Sequence, residues 1–506
     1  MELSGLNLGG LGLGSICVTA ANLFLVYQLG SIIYALTLHP LANHPGPIMT
    51  ATSRIPFWIA CVTGKQVLWM HNLHTKYGPV VRYSPNDLSF IDQGGAEWKA
   101  IHGHEMGGRE LPKAREWFVE PANGIYGINS APAHEDHRRF RKLFAPAFSE
   151  RALKSNEPVL RKHVELLVAK LGEAANEGRT VDMVQMFQFT TFDFMGDLTF
   201  GQPLGLLRGL KYSRWVEAVF DSIKVIPVAQ IIQYYPWLHA LFRLLEPRSV
   251  RDMKYTHFKH SADRVDMRLQ RGAEEPDIWT MVMAAKGSQQ LSLEEMYCHA
   301  DVFMLAGSET TGTSLSGLTY YLLANPEKLA ILTKQIRSLF KHEIEVTLQR
   351  TAGIEYLNAC IQEALRLYPP VPVGVPRVVA KAGEHIGGQW VAPGTRVSVH
   401  HYATYRSPLN FRDPDTFAPE RWLRDTDSDA DSLYKDDRRG SCQPFAYGPR
   451  DCLGRNLAMH EMRYNMARVL FNFDLRLSPE SEGWNGQKAF ILWEKKPLMC
   501  TLQAAP

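Results

Sequence analysis

Residues 445–454 read Phe445-Ala-Tyr-Gly448-Pro-Arg450-Asp-Cys452-Leu-Gly454. Gly448 and Gly454 permit tight turns and a close backbone approach. Cys452 stands between them, just ahead of a helical pattern from Leu453 to Leu470. A cysteine near a helix N-terminus has its thiolate favoured by the dipole and by free N–H groups, and Arg450 adds positive charge. A lone cysteine is ordinarily a buried structural residue. The rest of the chain decides whether this one is a ligand.

The chain has 506 residues, 45% hydrophobic and 21% charged, so wholesale disorder is excluded and a large core with an internal cavity can form. Lys plus Arg is 55 against 52 Asp plus Glu, a net charge of +3, which gives no electrostatic basis for nucleic-acid binding. The seven cysteines are scattered and include no Cys-x-x-Cys pair, which argues against a disulfide framework and against structural zinc. Phosphate-loop, zincin and nucleophile-elbow patterns are missing, and Gly9–Gly14 has no preceding strand. Helical patterns dominate, over 149–176, 180–200, 326–340 and 354–367. Short β-type runs occur at Val80–Tyr83, Leu88–Ile91 and Thr395–His400. The acidic run 425–437 reads as a solvated loop. The fold class is mainly α with small β-sheets.

Four further patterns precede Cys452. His137-Arg-Arg-Phe-Arg141 is a basic helical segment. Ala306-Gly307-Ser308-Glu309-Thr310-Thr311 lies inside a helix opened by Ser292 and Glu295, a capping-box spacing. Gly307 there costs about 1 kcal/mol against alanine, a local inconsistency expected where function chose the residue. Glu363-Ala-Leu-Arg366 places an acid and a base on one helix face. Pro419-Glu420-Arg421-Trp422 follows.

Together these patterns resemble the cytochrome P450 family, over about 54–500. The loop at 445–454 matches that family's haem-binding motif at every named position, with Phe445, Arg450 and Cys452 in place. The resemblance implies haem b (iron protoporphyrin IX) held by Cys452 as axial ligand. It implies propionate contacts from Arg141, Arg377 and Arg450. His137, where the family usually has Trp, could donate a further hydrogen bond. It implies a buried triad of Glu363, Arg366 and Arg421, with Trp422 in place of the usual Phe. Glu309 and Thr310 match the family's acid–alcohol pair, which handles protons for oxygen activation. The implied activity is a monooxygenase oxidising a lipophilic small molecule, with O2 and with NADPH electrons from a separate NADPH–cytochrome reductase. Arg138, Arg139 and Lys142 are candidates to meet that reductase. Substrate contacts are expected from the loop around 105–130 and from 201–247, 301–310, 371–376 and 484–493. A reductase-independent isomerase or dehydratase, and a non-catalytic haem-binding membrane protein, remain as alternatives. The intact Glu309-Thr310 pair weighs against both.

Between Glu2 and Arg54 the chain carries no charged residue, and Ile16–Leu38 is a 23-residue apolar run. As a helix it spans about 34 Å, enough for a hydrocarbon core of about 30 Å. Arg54 and Lys65 follow it, so the positive-inside rule places the N-terminus in the lumen and the body in the cytosol. The expected organisation is a lumenal segment 1–15, a transmembrane anchor 16–38, a Pro-rich hinge 39–53 that uncouples anchor from body, and a catalytic domain 54–506. With the resemblance, this implies a single-pass protein of the endoplasmic reticulum membrane, of the kind found in filamentous-fungal secondary metabolism. The apolar, aromatic run 226–245 is a candidate for dipping into the bilayer.

Overall fold

Ser292 and Glu295 form the capping box their spacing predicts. Glu295 N donates to Ser292 Oγ at 3.2 Å, and Ser292 N donates to Glu295 Oε2 at 2.9 Å. From this cap the central helix, Leu293–Ala324, runs 32 residues through the body. The computed structural model describes residues 13–103, 110–118, 121, 123–272, 277–427 and 431–505. The expected lumenal segment therefore lies mostly outside the described residues, as do parts of the loops at 105–130 and 425–437.

The glycines of the central helix are packing positions. A Cβ on Gly307 would fall 2.5 Å from Met195 Sδ, and one on Gly317 would fall 2.7 Å from the Tyr368 ring. The helix Met183–Phe200, buried along nearly its whole length, packs into the Gly307 gap. The inconsistency noted at Gly307 thus has a steric reason: two helices approach too closely for a side chain.

The three β-runs meet in one four-stranded sheet. Val80–Ser84 pairs antiparallel with Asp87–Phe90, which pairs parallel with Arg396–Val399, which pairs antiparallel with Arg377–Val378. A second sheet joins Val181–Asp182, Met499–Ala504 and Phe473–Leu477. The helix expected over 149–176 is two helices, Glu150–Ser155 and Glu157–Asn176. Pro158 lacks an N–H and cannot continue the first, but it suits the first turn of the second.

The helix Leu13–Thr37, the expected anchor, is long and apolar enough to cross a membrane, and its most apolar stretch is wholly unburied. The segment after it corrects the expectation of an uncoupling hinge. Pro45 O accepts from Arg82 N at 2.7 Å, and a Cβ on Gly46 would clash with Arg82 O at 2.3 Å. A short helix, Ile48–Thr52, sits within it. The Arg82 guanidinium is buried and donates to Ala35 O in the anchor's last turn at 2.8 Å, to Pro85 O at 3.0 Å and to Ala51 O at 3.3 Å. A cation at the C-terminal carbonyls of a helix complements its dipole. The prolines forbid a continuous helix, as expected, but the chain they stiffen is seated on the body.

Candidate active site

The loop before the helix Arg455–Asn472 is shaped by two residues with positive φ, Ala446 at 60° and Gly448 at 80°. A Cβ on Gly448 would lie 2.1 Å from His102 O, so no other residue fits there. The loop closes through Cys452 N, which donates to Phe445 O at 2.8 Å. Five of the seven cysteines are buried and Cys17 lies on the anchor, whereas Cys452 is accessible. It is nevertheless closely surrounded by protein. Burial raises the Cys452 thiol pKa, partly opposed by the Gly454 N–H and by Arg141 and Arg455. The expected activation by Arg450 is corrected, because Arg450 points elsewhere and burial outweighs the helix end. A buried thiol of this kind gives up its proton to a Lewis acid that binds the sulfur.

The central helix has accessible positions too. Phe303, Met304, Ser308, Glu309 and Thr311 are buried, while Ala306 is exposed and Thr310 half-buried. Thr310 Oγ1 donates to Ala306 O at 2.6 Å. Its oxygen keeps its acceptor capacity on the open side.

Arg450 and Arg377 converge on one carboxylate, Glu110. Arg450 Nε lies 2.9 Å and Arg377 Nη1 3.6 Å from Glu110 Oε2, while His134 Nδ1 lies 2.7 Å from Oε1. Arg450 also donates to Ala131 O at 2.6 Å, and Arg377 to Leu111 O at 3.0 Å. Three buried nitrogens here have no partner among the described residues: Arg450 Nη2, Arg377 Nε and His102 Nε2. Burial lowers the pKa of His137 to about 3, with Arg450 and Lys113 adding to the effect. His102 is lowered well below its ordinary value by burial and then by Arg377. One carboxylate thus faces a surplus of buried positive charge, and unpaired buried donors are costly. An anionic edge bearing two carboxylates would satisfy them. With the accessible thiol of Cys452, these residues fit haem.

One expected propionate contact is placed differently. Arg141 is turned to the cysteine loop, donating to Asp451 O at 2.8 Å and pairing with the Asp451 carboxylate. His137 is buried, and its lowered pKa keeps it neutral, a form that still carries one N–H donor.

Glu363, Arg366 and Arg421 come together with none of their side chains exposed. Glu363 accepts from Arg366 Nε and Nη2 at 2.8 Å each, Arg421 Nε at 3.0 Å, Ala418 N at 2.9 Å and Trp422 Nε1 at 2.8 Å. The Trp-for-Phe departure therefore adds a donor that phenylalanine lacks. Arg366 Nη1 also donates to Tyr405 O at 2.7 Å, which ties the helix Glu355–Leu367 to the segment after the first sheet.

Glu309 is held away from Thr310. Its carboxylate pairs with Lys495 and accepts from Gln188 Nε2 at 3.1 Å. Glu110, His134, His102 and Lys495 went unnoticed in the sequence. They lie far along the chain from the residues they meet and carry no fixed spacing to any motif.

Comparison with known proteins agrees with this geometry. The family model described as cytochrome P450 matches residues 52–502. The chain is 40% identical over 490 residues to the cytochrome P450 monooxygenase efuB of Hormonema carpetanum, covering 95% of each chain. It is 41% identical over 471 residues to the cytochrome P450 monooxygenase FUM2 of Gibberella moniliformis, covering 92% of this chain and 98% of that one. It is 39% identical over 497 residues to the trichothecene C-4 hydroxylase of Trichoderma arundinaceum, covering 96% and 97%. Sequence motifs, an accessible cysteine, a separate buried cationic cluster, and full-length similarity lead to one conclusion: the chain belongs to the cytochrome P450 family and is a haem-thiolate monooxygenase.

Proposed function

We propose that this monooxygenase oxidises a lipophilic product of fungal secondary metabolism at the endoplasmic reticulum membrane. Its body is cytosolic, and an NADPH–cytochrome reductase on the same membrane supplies electrons. The observation that carries the membrane reading is one run of exposed apolar side chains beside the anchor. Ile48 and Met49 follow it, then Ile55, Ile59 and Val62. The helix Ile55–Val62 contacts Arg214–Tyr234, and Pro236–Leu245 continues with Trp237, Leu241, Leu244 and Leu245 exposed. The run 226–245 is thus two helices, and the second buries none of its residues. An apolar surface of this extent, continuous with an anchor, is the kind that enters a headgroup layer. The relative named for trichothecene hydroxylation supports the substrate class.

When bound, haem would supply the site at which O2 is activated with the electrons that the reductase delivers. Cys452 would hold its iron, and Arg377 and Arg450 its carboxylates. Glu110 orients those two guanidiniums from the other side. Ala306 leaves room at the central helix, and Thr310 offers a hydroxyl there. Arg138 and Lys142 are exposed and available to the reductase, whereas Arg139 is taken by Glu295.

Metabolite profiling of a strain lacking this chain tests the reading. A lipophilic compound should accumulate, and microsomes containing the chain and reductase should convert it with incorporation of one oxygen atom from O2. An unchanged profile would overturn the substrate proposal.

Thr310→Ala should leave folding and substrate-induced spectral shifts nearly intact, since losing one hydroxyl costs about 1 kcal/mol when its partner finds water. Product per NADPH should fall while NADPH and O2 consumption continue, the difference appearing as hydrogen peroxide. Peroxide and product assays on one reaction check this. An unchanged ratio would remove Thr310 from the proton path.

Deleting residues 1–38 should give a haem-loaded protein that still binds vesicles weakly through the apolar helices. It should also be less stable by about 1 kcal/mol, because Arg82 loses an acceptor. Flotation and thermal melts measure both. A truncated chain as stable as the full one would show that the Arg82–Ala35 bond contributes nothing.

A further inference from the structure

We propose that Lys495 is a positioning residue for Glu309, and so for proton handling beside Thr310. The inference rests on the monooxygenase assignment and on Glu309 as the acid of that site.

Glu309 and Lys495 have side-chain exposures of 1% and 5%. Lys495 Nζ donates to Glu309 Oε1 and Gln188 Nε2 donates to Oε2, so both oxygens are engaged. Tyr212 OH in turn donates to Gln188 Oε1, and Tyr212 is half-buried at the outer end of this chain of contacts. The Tyr368 hydroxyl is a further titratable group facing Glu309. Lys495 lies in the stretch between the strands Leu492–Trp493 and Met499–Ala504. That stretch is bolted on its other side by Glu494, 2.8 Å from Lys224 of the helix Arg214–Tyr234. Adjacent residues therefore tie this stretch to two helices, one of which carries Thr310.

A carboxylate this deeply buried needs a countercharge, and Lys495 supplies it. Glu309 and Thr310 are successive helical residues, about 100° apart around the axis. A carboxylate held by Lys495 and Gln188 sits on the flank away from the Thr310 hydroxyl. It must leave at least one of these contacts to exchange a proton on that side. Lys495 therefore sets its resting place. Without the ammonium, the buried carboxylate loses its countercharge and keeps only the Gln188 contact.

The test uses the full chain in microsomes with the reductase, driven by the lipophilic extract of the strain lacking this chain. Glu309→Gln, Lys495→Met, Lys495→Arg and the double variant Glu309→Gln/Lys495→Met are compared per haem. Glu309→Gln and Lys495→Met should each slow product formation at least about tenfold, near the lower end for a lost general acid–base group. Substrate-induced spectral shifts should be kept. Lys495→Arg should recover most of the rate. The double variant should be no slower than Glu309→Gln alone, as expected for residues acting as one unit. The solvent isotope effect on turnover should rise in Lys495→Met. Infrared spectra of the same protein, without turnover, should show a change in the carboxyl bands that the double variant lacks.

A merely structural lysine would lower haem content and melting temperature while leaving rate per haem, isotope effect and infrared bands unchanged. That result would overturn the proposal. If Lys495→Met does not fold, the double variant and Lys495→Arg decide. A double variant slower than Glu309→Gln by a further large factor, or an arginine variant as slow as Glu309→Gln, also overturns it. A fully active Glu309→Gln would instead remove Glu309 from the reaction. Wild type that consumes NADPH but makes no product would count against the substrate reading.

Discussion

Cys452→Ala is expected to abolish the thiolate-type Soret band of the reduced CO complex and all NADPH-driven product formation. The fold should survive better than the function. Cys452 contributes its N–H to the loop through Phe445 O, and alanine keeps that bond. The positive φ values that shape the loop belong to Ala446 and Gly448, not to the cysteine. The Arg450–Glu110–Arg377 cluster is likewise untouched, so some haem should still be retained through its carboxylates. What is lost is the sulfur, and with it the electron donation that favours O–O cleavage. Cys452→His would put a neutral nitrogen ligand in reach, and its CO band should shift to the histidine-ligated position. A Cys452→Ala protein that kept the thiolate band would sink the assignment, since the other described body cysteines are buried.

The loop and the Glu363–Arg366 pair were legible because their chemistry is local in sequence, whereas Arg421, 58 positions from Glu363, came only through the family resemblance. Phe445 to Gly454 is one loop, and Glu363 with Arg366 is one helix face. The capping box at Ser292 and Glu295 was legible for the same reason. What escaped is long-range. Glu110 meets Arg450 across 340 positions, and Lys495 meets Glu309 across 186. No periodicity links such residues, and an isolated Glu or Lys in a loop reads as solvated. The hinge was misread because proline and glycine specify a bend but not what it rests against. Only the fold brings Arg82 under Gly46 and beside Ala35. Gly307 was noticed as a locally unfavourable choice and read as functional, whereas it makes room for Met195, which could not be named from the sequence.

Glu363→Ala is expected to have an effect of the same order by a different route, through loss of folded holoprotein. Its carboxylate accepts five hydrogen bonds, from Arg366 twice, Arg421, Trp422 and Ala418 N. Alanine would leave two arginines with no exposed side-chain surface facing each other without their shared anion. Removing one member of such a buried group costs about 3–5 kcal/mol, a large part of a typical total of roughly 5–15 kcal/mol. Arg421 keeps its pair with Asp437, so collapse should start on the Arg366 side, where the Tyr405, Pro414 and Thr416 carbonyls are gathered. The pH dependence follows from the same carboxylate. Burial alone would raise its pKa, but Arg366 and Arg421 hold it below the ordinary carboxylate value. The unfolded chain then binds the proton more readily. The Glu363 contribution is fully present above the ordinary glutamate pKa and is lost as pH falls through the lowered value. Wild type should therefore lose thermal stability on acidification through this range. Glu363→Gln, which keeps a carbonyl acceptor but no charge, should start lower and lose less. Melts of the three proteins across that range, with haem content measured at each point, decide the matter. A Glu363→Ala chain that folds and holds haem like wild type would mean that the surrounding carbonyls alone keep Arg366 in place.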